Sequence, residues 1–425
     1  MSSRIAVLGA GIQGCCLALR LARRGHSVDL IDENAMPFVG ASVNNEGKIH
    51  LGFVYARDPR QRTHRVMAQG ALAFASALRD IAGLEPRDYT ADLRFHYAVP
   101  HDSQLSVDQV EAHFQRVEQA VQATASVGGD DYLGGSLEGP LFRRLTEAEL
   151  ISAFAPDFVD AAFETREEAV DTRRLGSLLR AAVFRHPRIR FLGRTRVVGA
   201  NIESTRSVVL TTDHGGRVAE CAYEAVGNCL WSGRLAVDAT VGLVPESPWL
   251  FRYKAIVRVP SQYGRAAACT VPSTTFVVGP YGDVVDYGNG SFYLSWYPLF
   301  KLVETRTLDG ASLSEALADI DRQELAREGT AALSRYMPAL SRLLDTDVIF
   351  EVGGGVIFGW GDTDIDDPES GLHERWRIGP YRYGPYVTVD TGKYTMAPYF
   401  ALEAAGMIED ALAGVPQNGL EVLAG

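Results

Sequence analysis

Arg4-Ile-Ala-Val-Leu-Gly9-Ala-Gly11-Ile12-Gln13-Gly14 opens the chain, runs through an apolar stretch to Arg24-Gly25-His26, and continues as Ser27-Val-Asp-Leu-Ile-Asp32-Glu33. A short apolar run, a Gly-x-Gly-x-x-Gly turn, a helical stretch and a second apolar run ending in acids form a βαβ unit built for a dinucleotide. Gly9 permits the tight turn, Gly11 lets the backbone approach a pyrophosphate, and Gly14 lets helix and strand pack closely. The helix entered at Ile12 and Gln13 points its free N–H groups and positive dipole end at the phosphates. Asp32, followed by Glu33, stands where a carboxylate accepts from ribose hydroxyls, which argues against a 2′-phosphate. At this point NAD and FAD are equal alternatives. A secretory signal does not fit, because two glycines interrupt the apolar run and Arg20, Arg23 and Arg24 follow it.

At 425 residues the chain has room for two domains. A formal net charge of −12 disfavours nucleic acid or an anionic membrane surface as partner. No apolar run is long enough to span a bilayer. Cys15, Cys16, Cys221, Cys229 and Cys269 are odd in number and form no Cys-x-x-Cys pair, so neither a disulfide framework nor a zinc site is expected and a cytoplasmic setting fits. His64, His96, His101, His113, His186, His214 and His373 show no ligand spacing, and no metal site is expected.

Beyond Asp32, the stretch Gly40-Ala-Ser42-Val-Asn44-Asn45-Glu46-Gly47-Lys48-Ile-His50-Leu-Gly52 is polar, glycine-punctuated and without periodicity, the composition of a loop lying along a ligand. Amphipathic spacing predicts helices over 62–78, 106–124 and 146–154, with a strand over 93–99. Asp171 is placed to cap a helix. Residues 189–192 and 195–198, the latter containing Val197, read as short strands, and 208–212 with 217–223 as a hairpin around Asp213-His-Gly-Gly216. Residues 224–232 form an apolar strand ending in a small-residue turn. Strands follow over 251–259, 274–278 and 291–297, then helices over 313–325, 330–336 and 399–412.

Four spaced elements together resemble the D-amino-acid-oxidase-like flavoprotein superfamily, of the glutathione-reductase structural class. They are the βαβ unit with Asp32, the loop from Asn44 to Gly52, the Val226-Gly227-Asn228-Cys229-Leu-Trp231-Ser232 turn, and Thr391-Gly392-Lys393-Tyr394-Thr395-Met396-Ala397-Pro398. The loop looks like the Asn-x-Gly-x-Ile-His-x-Gly segment of the 2-hydroxyglutarate oxidase branch. The resemblance implies FAD and an α/β plus α+β fold: a Rossmann-like FAD-binding domain with an inserted mixed-sheet substrate domain. It places the discontinuous FAD-binding domain at 1–92, 150–245 and 350–425, and the substrate domain at 93–149 and 246–349. Cofactor contacts are expected from Gly9, Gly11, Ile12, Gln13, Gly14, Asp32, Glu33, Ser42, Asn44, Asn45, Lys48, Val197, Gly227, Asn228, Trp231, Gly392, Lys393, Tyr394, Thr395 and Met396. The chain departs from the family at Gly227-Asn228-Cys229, where Ala-Ala-Gly is usual, and at Lys393, where glycine is usual.

Flavin oxidation of a C–H bond beside OH or NH needs a water-excluding face, a base for an alcohol and a cation for an acid substrate. His50 is the candidate base. Lys393 is a candidate cation toward the flavin pyrimidine, with a solvent-facing lysine as the plain alternative. Arg252 and Arg382 are candidate carboxylate clamps, since arginine offers a bidentate fork. Tyr253, Trp296, Tyr297, Tyr381 and Tyr383 are candidate walls. The expected activity is hydride removal from a small carboxylate-bearing 2-hydroxy acid. An amine or amino-acid oxidase or dehydrogenase is the alternative, and a flavin-binding protein without turnover a reading of another class. The partners expected are a small-molecule substrate and an electron acceptor, oxygen or a quinone.

Overall fold

The computed structural model describes residues 3–128 and 131–417. Arg4–Leu8 lies at the middle of a six-stranded sheet, between Ser27–Ile31 and Ala225–Asn228, both parallel to it. Ile189–Leu192 extends one side, and the hairpin Gly379–Tyr383 with Tyr386–Asp390 extends the other. Every residue of Ala225–Asn228 and Tyr386–Asp390 is buried, as strands covered on both faces require. Gly9 has φ +89°, and a Cβ on Gly14 would sit 1.8 Å from the Gly9 carbonyl oxygen. The turn and the helix Ile12–Arg23 therefore approach as closely as only glycine allows. That helix packs against Ala397–Leu412 and Thr63–Ala82. Cys15 and Cys16 are fully buried in it, and burial pushes both thiols up, which makes them packing residues.

The second body is a mixed sheet of nine strands. Thr90–Pro100 pairs antiparallel with Val159–Val170 and parallel with Thr274–Phe276, while Trp249–Val259 pairs with Phe292–Trp296, Lys301–Thr305 and Glu351–Trp360. A three-stranded antiparallel sheet, Arg196–Ser204, Ser207–His214 and Arg217–Tyr223, joins Ile189–Leu192 to Ala225–Asn228. This is the α/β plus α+β architecture of an FAD-binding fold with an inserted mixed-sheet domain. Among the described residues no helix is long and apolar enough to cross a membrane.

Two strands displace the domain boundaries expected at 150 and 350. Val159–Val170 and Glu351–Trp360 both pair in the mixed sheet, so they belong with the substrate body. In the first, Glu164, Arg166 and Glu168 alternate with Phe163, Thr165 and Glu167, and charged residues on both faces mask the strand signal. In the second, Gly353, Gly354 and Gly355 carry no side chain to register an alternation. The helices predicted over 313–325 and 330–336 are replaced by a 3-10 turn, Ala311–Glu315, and one helix, Arg322–Ser334. Asp321 starts that helix by accepting from the backbone N–H of Gln323 and Glu324, a cap that apolar spacing alone does not reveal. Asp171 caps Thr172–Arg185 in the same way.

Candidate active site

The loop after Phe38 is held by its own polar residues. Ser42 Oγ accepts from the Ile12 N–H at 3.0 Å, and Asn44 donates to the Gly40 carbonyl at 3.3 Å. Asn45 donates to the carbonyls of Ala41 and Ser42 and accepts from the Gly47 N–H at 2.8 Å. Gly47 has φ +72°, and a Cβ there would lie 2.1 Å from the Val170 carbonyl. The loop is thus laid along the strand Val159–Val170, with the Ile49 N–H donating to Glu168 and the Val170 N–H to Gly47. The C-terminal turn clamps it from the other side: Thr395 Oγ1 accepts from the His50 N–H at 2.9 Å and donates to the Lys48 carbonyl.

Between these elements runs a cavity of about 810 Å³, within the range of roughly 300–1,000 Å³ usual for ligand pockets. One end is lined by Gly9, Gly11, Ile12, Gln13, Asp32, Glu33 and Val197, and its middle by Ser42, Asn44, Asn45 and Trp231. The other end is lined by Glu46, Lys48, His50, Tyr253, Lys254, Asp283, Tyr293, Arg375, Gly392, Lys393 and Tyr394. The first end fits the dinucleotide half of FAD. Gly11 precedes the helix without a side-chain cap of its own; Ser42 takes the Ile12 N–H, and the positive end of the helix dipole faces the cavity, where a phosphate is favoured. A Cβ on Gly11 would approach Ser42 Oγ to 2.8 Å, so the backbone is bare where the pyrophosphate approaches. Asp32 lines the same end while one of its oxygens accepts from the Ala10 N–H at 2.6 Å.

Other expected contacts lie off the cavity wall. Gly14 sits beneath it in the helix–strand contact. Gly227 faces Leu17, where a Cβ would come within 2.7 Å. Asn228 is buried and donates to the Arg234 carbonyl, Asp238 and the Tyr386 hydroxyl. Met396 packs on Gly70 of the helix Thr63–Ala82. Thr395 is fully buried and ties the loop rather than facing the cavity. These residues shape the walls from behind.

Both expected carboxylate clamps are corrected. Arg252 is buried, but its Nη1 donates to Asp364 and to the Tyr297 hydroxyl, and it is not among the cavity-lining residues. Arg382 donates to the carbonyls of Gly384 and Val415 at the edge of its hairpin. Of the aromatics, Tyr253 lines the cavity, and Trp296, Tyr297, Tyr381 and Tyr383 do not. An arginine that does line the cavity is Arg375. Its Nη1 donates to the Phe358 carbonyl at 2.8 Å, and among the described residues it forms no ion pair. Burial, with Arg252 nearby, brings its pKa down to about 10. Arg375 lies in His373-Glu374-Arg375-Trp376-Arg377, a stretch with no periodicity or motif to single it out.

Around His50 the charges are dense. Its ring is buried, with Nε2 3.6 Å from Glu46 Oε1 and Nδ1 3.8 Å from Glu167 Oε2, and neither nitrogen is hydrogen-bonded. Burial lowers the imidazole pKa; Lys393 and Lys48 add to this and together outweigh the opposing carboxylates. Burial works against the Glu46 charge, yet His50, Lys393 and Lys48 hold its carboxyl well below the usual range. Lys393 is brought down to about 8, first by burial and then by Arg375, against the pull of Glu46. Lys48 is committed elsewhere: its ammonium donates to Thr275 and to Asp283, and lies 4.5 Å from the Phe95 ring centre. Sequence reading passed over Glu46 although it stands inside the quoted loop.

Residues 4–364 match the sequence profile of the FAD dependent oxidoreductase family. The chain belongs to that family. Its fold is similar to glycine oxidase from Geobacillus kaustophilus, at TM-score 0.64 and 14% identity over 98% of this chain and 96% of that one. It is likewise similar to FAD-bound L-alpha-glycerophosphate oxidase from Mycoplasma pneumoniae, at TM-score 0.67 and 14% identity over 96% and 95%. L-proline dehydrogenase from P. horikoshii gives TM-score 0.64 and 16% identity over 98% and 95%. A local match, 50% identical over 46 residues, joins 11% of the chain to the tRNA 5-methylaminomethyl-2-thiouridine biosynthesis bifunctional protein MnmC of Shewanella amazonensis. The match covers 7% of that curated relative's length. The protein is an FAD-dependent oxidoreductase, and FAD is its cofactor. These similarities do not single out the 2-hydroxyglutarate oxidase branch expected from the loop.

Proposed function

We propose that this FAD-dependent oxidoreductase oxidises a small amine bearing a carboxylate, with Arg375, Glu46 and His50 as the groups that handle it. The observation that carries the reading is that a cavity arginine with no ion pair among the described residues, Arg375, shares the cavity wall with a carboxylate, Glu46, beside the buried His50. A zwitterionic substrate answers both charges. Arg375 presents a fork to the carboxylate, and Glu46 accepts from the ammonium. His50 is neutral near pH 7 because burial lowers its pKa, so its ring is free to take the ammonium proton. Tyr253 and Tyr293 wall the same end and help exclude water. When bound, FAD supplies the two-electron acceptor for the substrate C–H bond. Glycine oxidase and L-proline dehydrogenase, both similar in fold, fit an amine, while L-alpha-glycerophosphate oxidase is similar in fold too.

A 2-hydroxy acid is the second reading, favoured by the loop Asn45-Glu46-Gly47-Lys48-Ile49-His50-Leu51-Gly52 and its resemblance to the hydroxy-acid branch. Anaerobic mixing of the holoenzyme with amino acids, N-alkylglycines and 2-hydroxy acids decides between them by which class bleaches the flavin band. Reoxidation with oxygen or with a quinone then identifies the acceptor. Glu46→Gln is expected to lower kcat/KM for amines by about 10- to 100-fold, the roughly 1.5–3 kcal/mol of a charge-assisted hydrogen bond, and to leave hydroxy acids unaffected. Equal loss for both classes removes Glu46 as the ammonium contact.

Lys393 is proposed as the cation that favours negative charge on the reduced cofactor. Its ammonium is protonated below about pH 8 and neutral above. Lys393→Met is expected to lower the flavin potential by roughly 20–60 mV at neutral pH, equivalent to ~1–3 kcal/mol for a two-electron couple. The difference from the unmodified enzyme should shrink as pH rises through about 8, where the lysine loses its charge. Potentiometric titration at several pH values checks both the size and its disappearance.

A further inference from the structure

We infer that Glu167 is a positioning residue for His50, holding the imidazole with Nδ1–H toward the protein and a free Nε2 toward the cavity. This rests on the reading of His50 as the base. Glu167 is fully buried in the strand Val159–Val170, directly beneath the loop. Its Oε1 accepts from the backbone N–H of Leu51 at 2.7 Å and of Gly52 at 3.1 Å. Its Oε2 accepts from the Tyr97 hydroxyl and lies 3.8 Å from His50 Nδ1. All three of its side-chain hydrogen bonds are accepted from donors, and Oε2, which takes one of them, keeps acceptor capacity with His50 Nδ1 as a neighbour 3.8 Å away.

The groups facing the ring divide its two nitrogens. Glu46, Lys393 and Lys48 lie toward the cavity, the Tyr55 ring is tilted by 57° against it at 5.8 Å between ring centres, and Glu167 stands behind. A neutral imidazole carries one N–H. With that N–H on Nδ1, directed at Oε2, Nε2 is the acceptor on the side of Glu46, whose Oε1 lies 3.6 Å away, and a substrate ammonium between them donates to both. When Nε2 takes that proton, Glu167 stabilises the imidazolium without accepting a proton itself, the role an orienting carboxylate plays behind a catalytic histidine. Thr165 Oγ1 accepts from the Glu167 N–H and donates to the Phe95 carbonyl, which fixes the strand at this point. The carboxylate is therefore placed by the substrate sheet and the histidine by the loop, so the two meet only when both bodies are folded.

Glu167→Gln is the test, made in the FAD-loaded enzyme with His50→Ala alongside. Glutamine keeps an oxygen for the Leu51 and Gly52 N–H groups but turns an NH2 toward Nδ1. That NH2 demands the opposite tautomer, with Nε2–H facing the cavity. The expected result is a fall in kcat of about 10²–10⁴-fold, the scale seen when an orienting carboxylate is lost behind a histidine. KM should stay within about threefold, FAD content should be unchanged, and Glu167→Asp should restore part of the rate. Loss of turnover in His50→Ala with a normal rate and pH profile in Glu167→Gln overturns the inference. Normal turnover in His50→Ala overturns the base reading, and the positioning role with it. Should Glu167→Gln not fold, Tyr97→Phe frees Oε2 for the histidine, and the acid limb of kcat/KM should move to higher pH. An acid limb that does not move overturns the proposal.

Discussion

Replacing His50 with alanine is expected to lower kcat by about 10²–10⁴-fold, the usual contribution of a positioned base, with FAD still bound. The size follows from the site: His50 is a buried imidazole on the cavity wall whose nitrogens have no hydrogen-bond partner among the described residues, and neither Lys48 nor Lys393 takes its place as base. Lys48 is tied to Thr275 and Asp283. Lys393 is half-protonated at about pH 8 and so is mostly charged at neutral pH. Because burial lowers the His50 pKa, the base form persists to lower pH than for an exposed histidine of about 6.5. In the unmodified enzyme kcat/KM should therefore fall on the acid side below that value, as the ring gains its proton. That limb should vanish in the alanine variant. Rapid-reaction measurement of flavin bleaching across pH checks both points, and an unchanged rate removes His50 from the chemistry.

Arg375→Met is expected to reduce kcat/KM for a carboxylate substrate by roughly 30- to 5,000-fold, the ~2–5 kcal/mol lost when one partner of a buried charge pair is removed. Most of the loss should appear in KM, because the carboxylate is held alike before and during reaction. Methionine keeps an unbranched apolar stem and removes a cation that stands near Arg252, so thermal stability should hold. Arg375→Lys should recover little, since an ammonium lacks the planar fork. Arg382→Met provides the contrast: among the described residues its guanidinium meets the carbonyls of Gly384 and Val415, off the cavity wall, and turnover should stay unchanged. A methyl-ester analogue, which offers no charge to Arg375, should bind the Met variant and the unmodified enzyme alike. Isothermal or steady-state comparison of acid and ester tests this directly.

Much of the fold is legible in the chain because its signals are local. The βαβ unit declares itself through a turn whose glycines, Gly9 and Gly14, approach so closely that a Cβ on Gly14 would lie 1.8 Å from the Gly9 carbonyl oxygen, and through the acid Asp32 after the next strand. The loop from Ser42 to Gly52 is legible for the same reason, since Asn45 and Gly47 close it by contacts only a few residues apart. Charged or glycine-rich strands are different. Val159–Val170 and Glu351–Trp360 become strands through partners far away in sequence, and neither alternation nor propensity marks them.

The nucleotide end of the cavity and the presence of His50 on its wall are therefore legible in the sequence alone: glycines that must turn, an acid at a strand end, and a histidine in a patterned loop. The tertiary structure alone decided which cations and carboxylates answer that histidine. Arg252 and Arg375 are equally plausible arginines in the chain, yet folding gives the first an ion pair with Asp364 and leaves the second facing the cavity. Glu167 reaches His50 across a gap of more than a hundred residues because the substrate sheet passes under the loop. A charge's role depends on what neutralises it, and its neighbours in space are set by strand pairing over distances that no local pattern in the chain records.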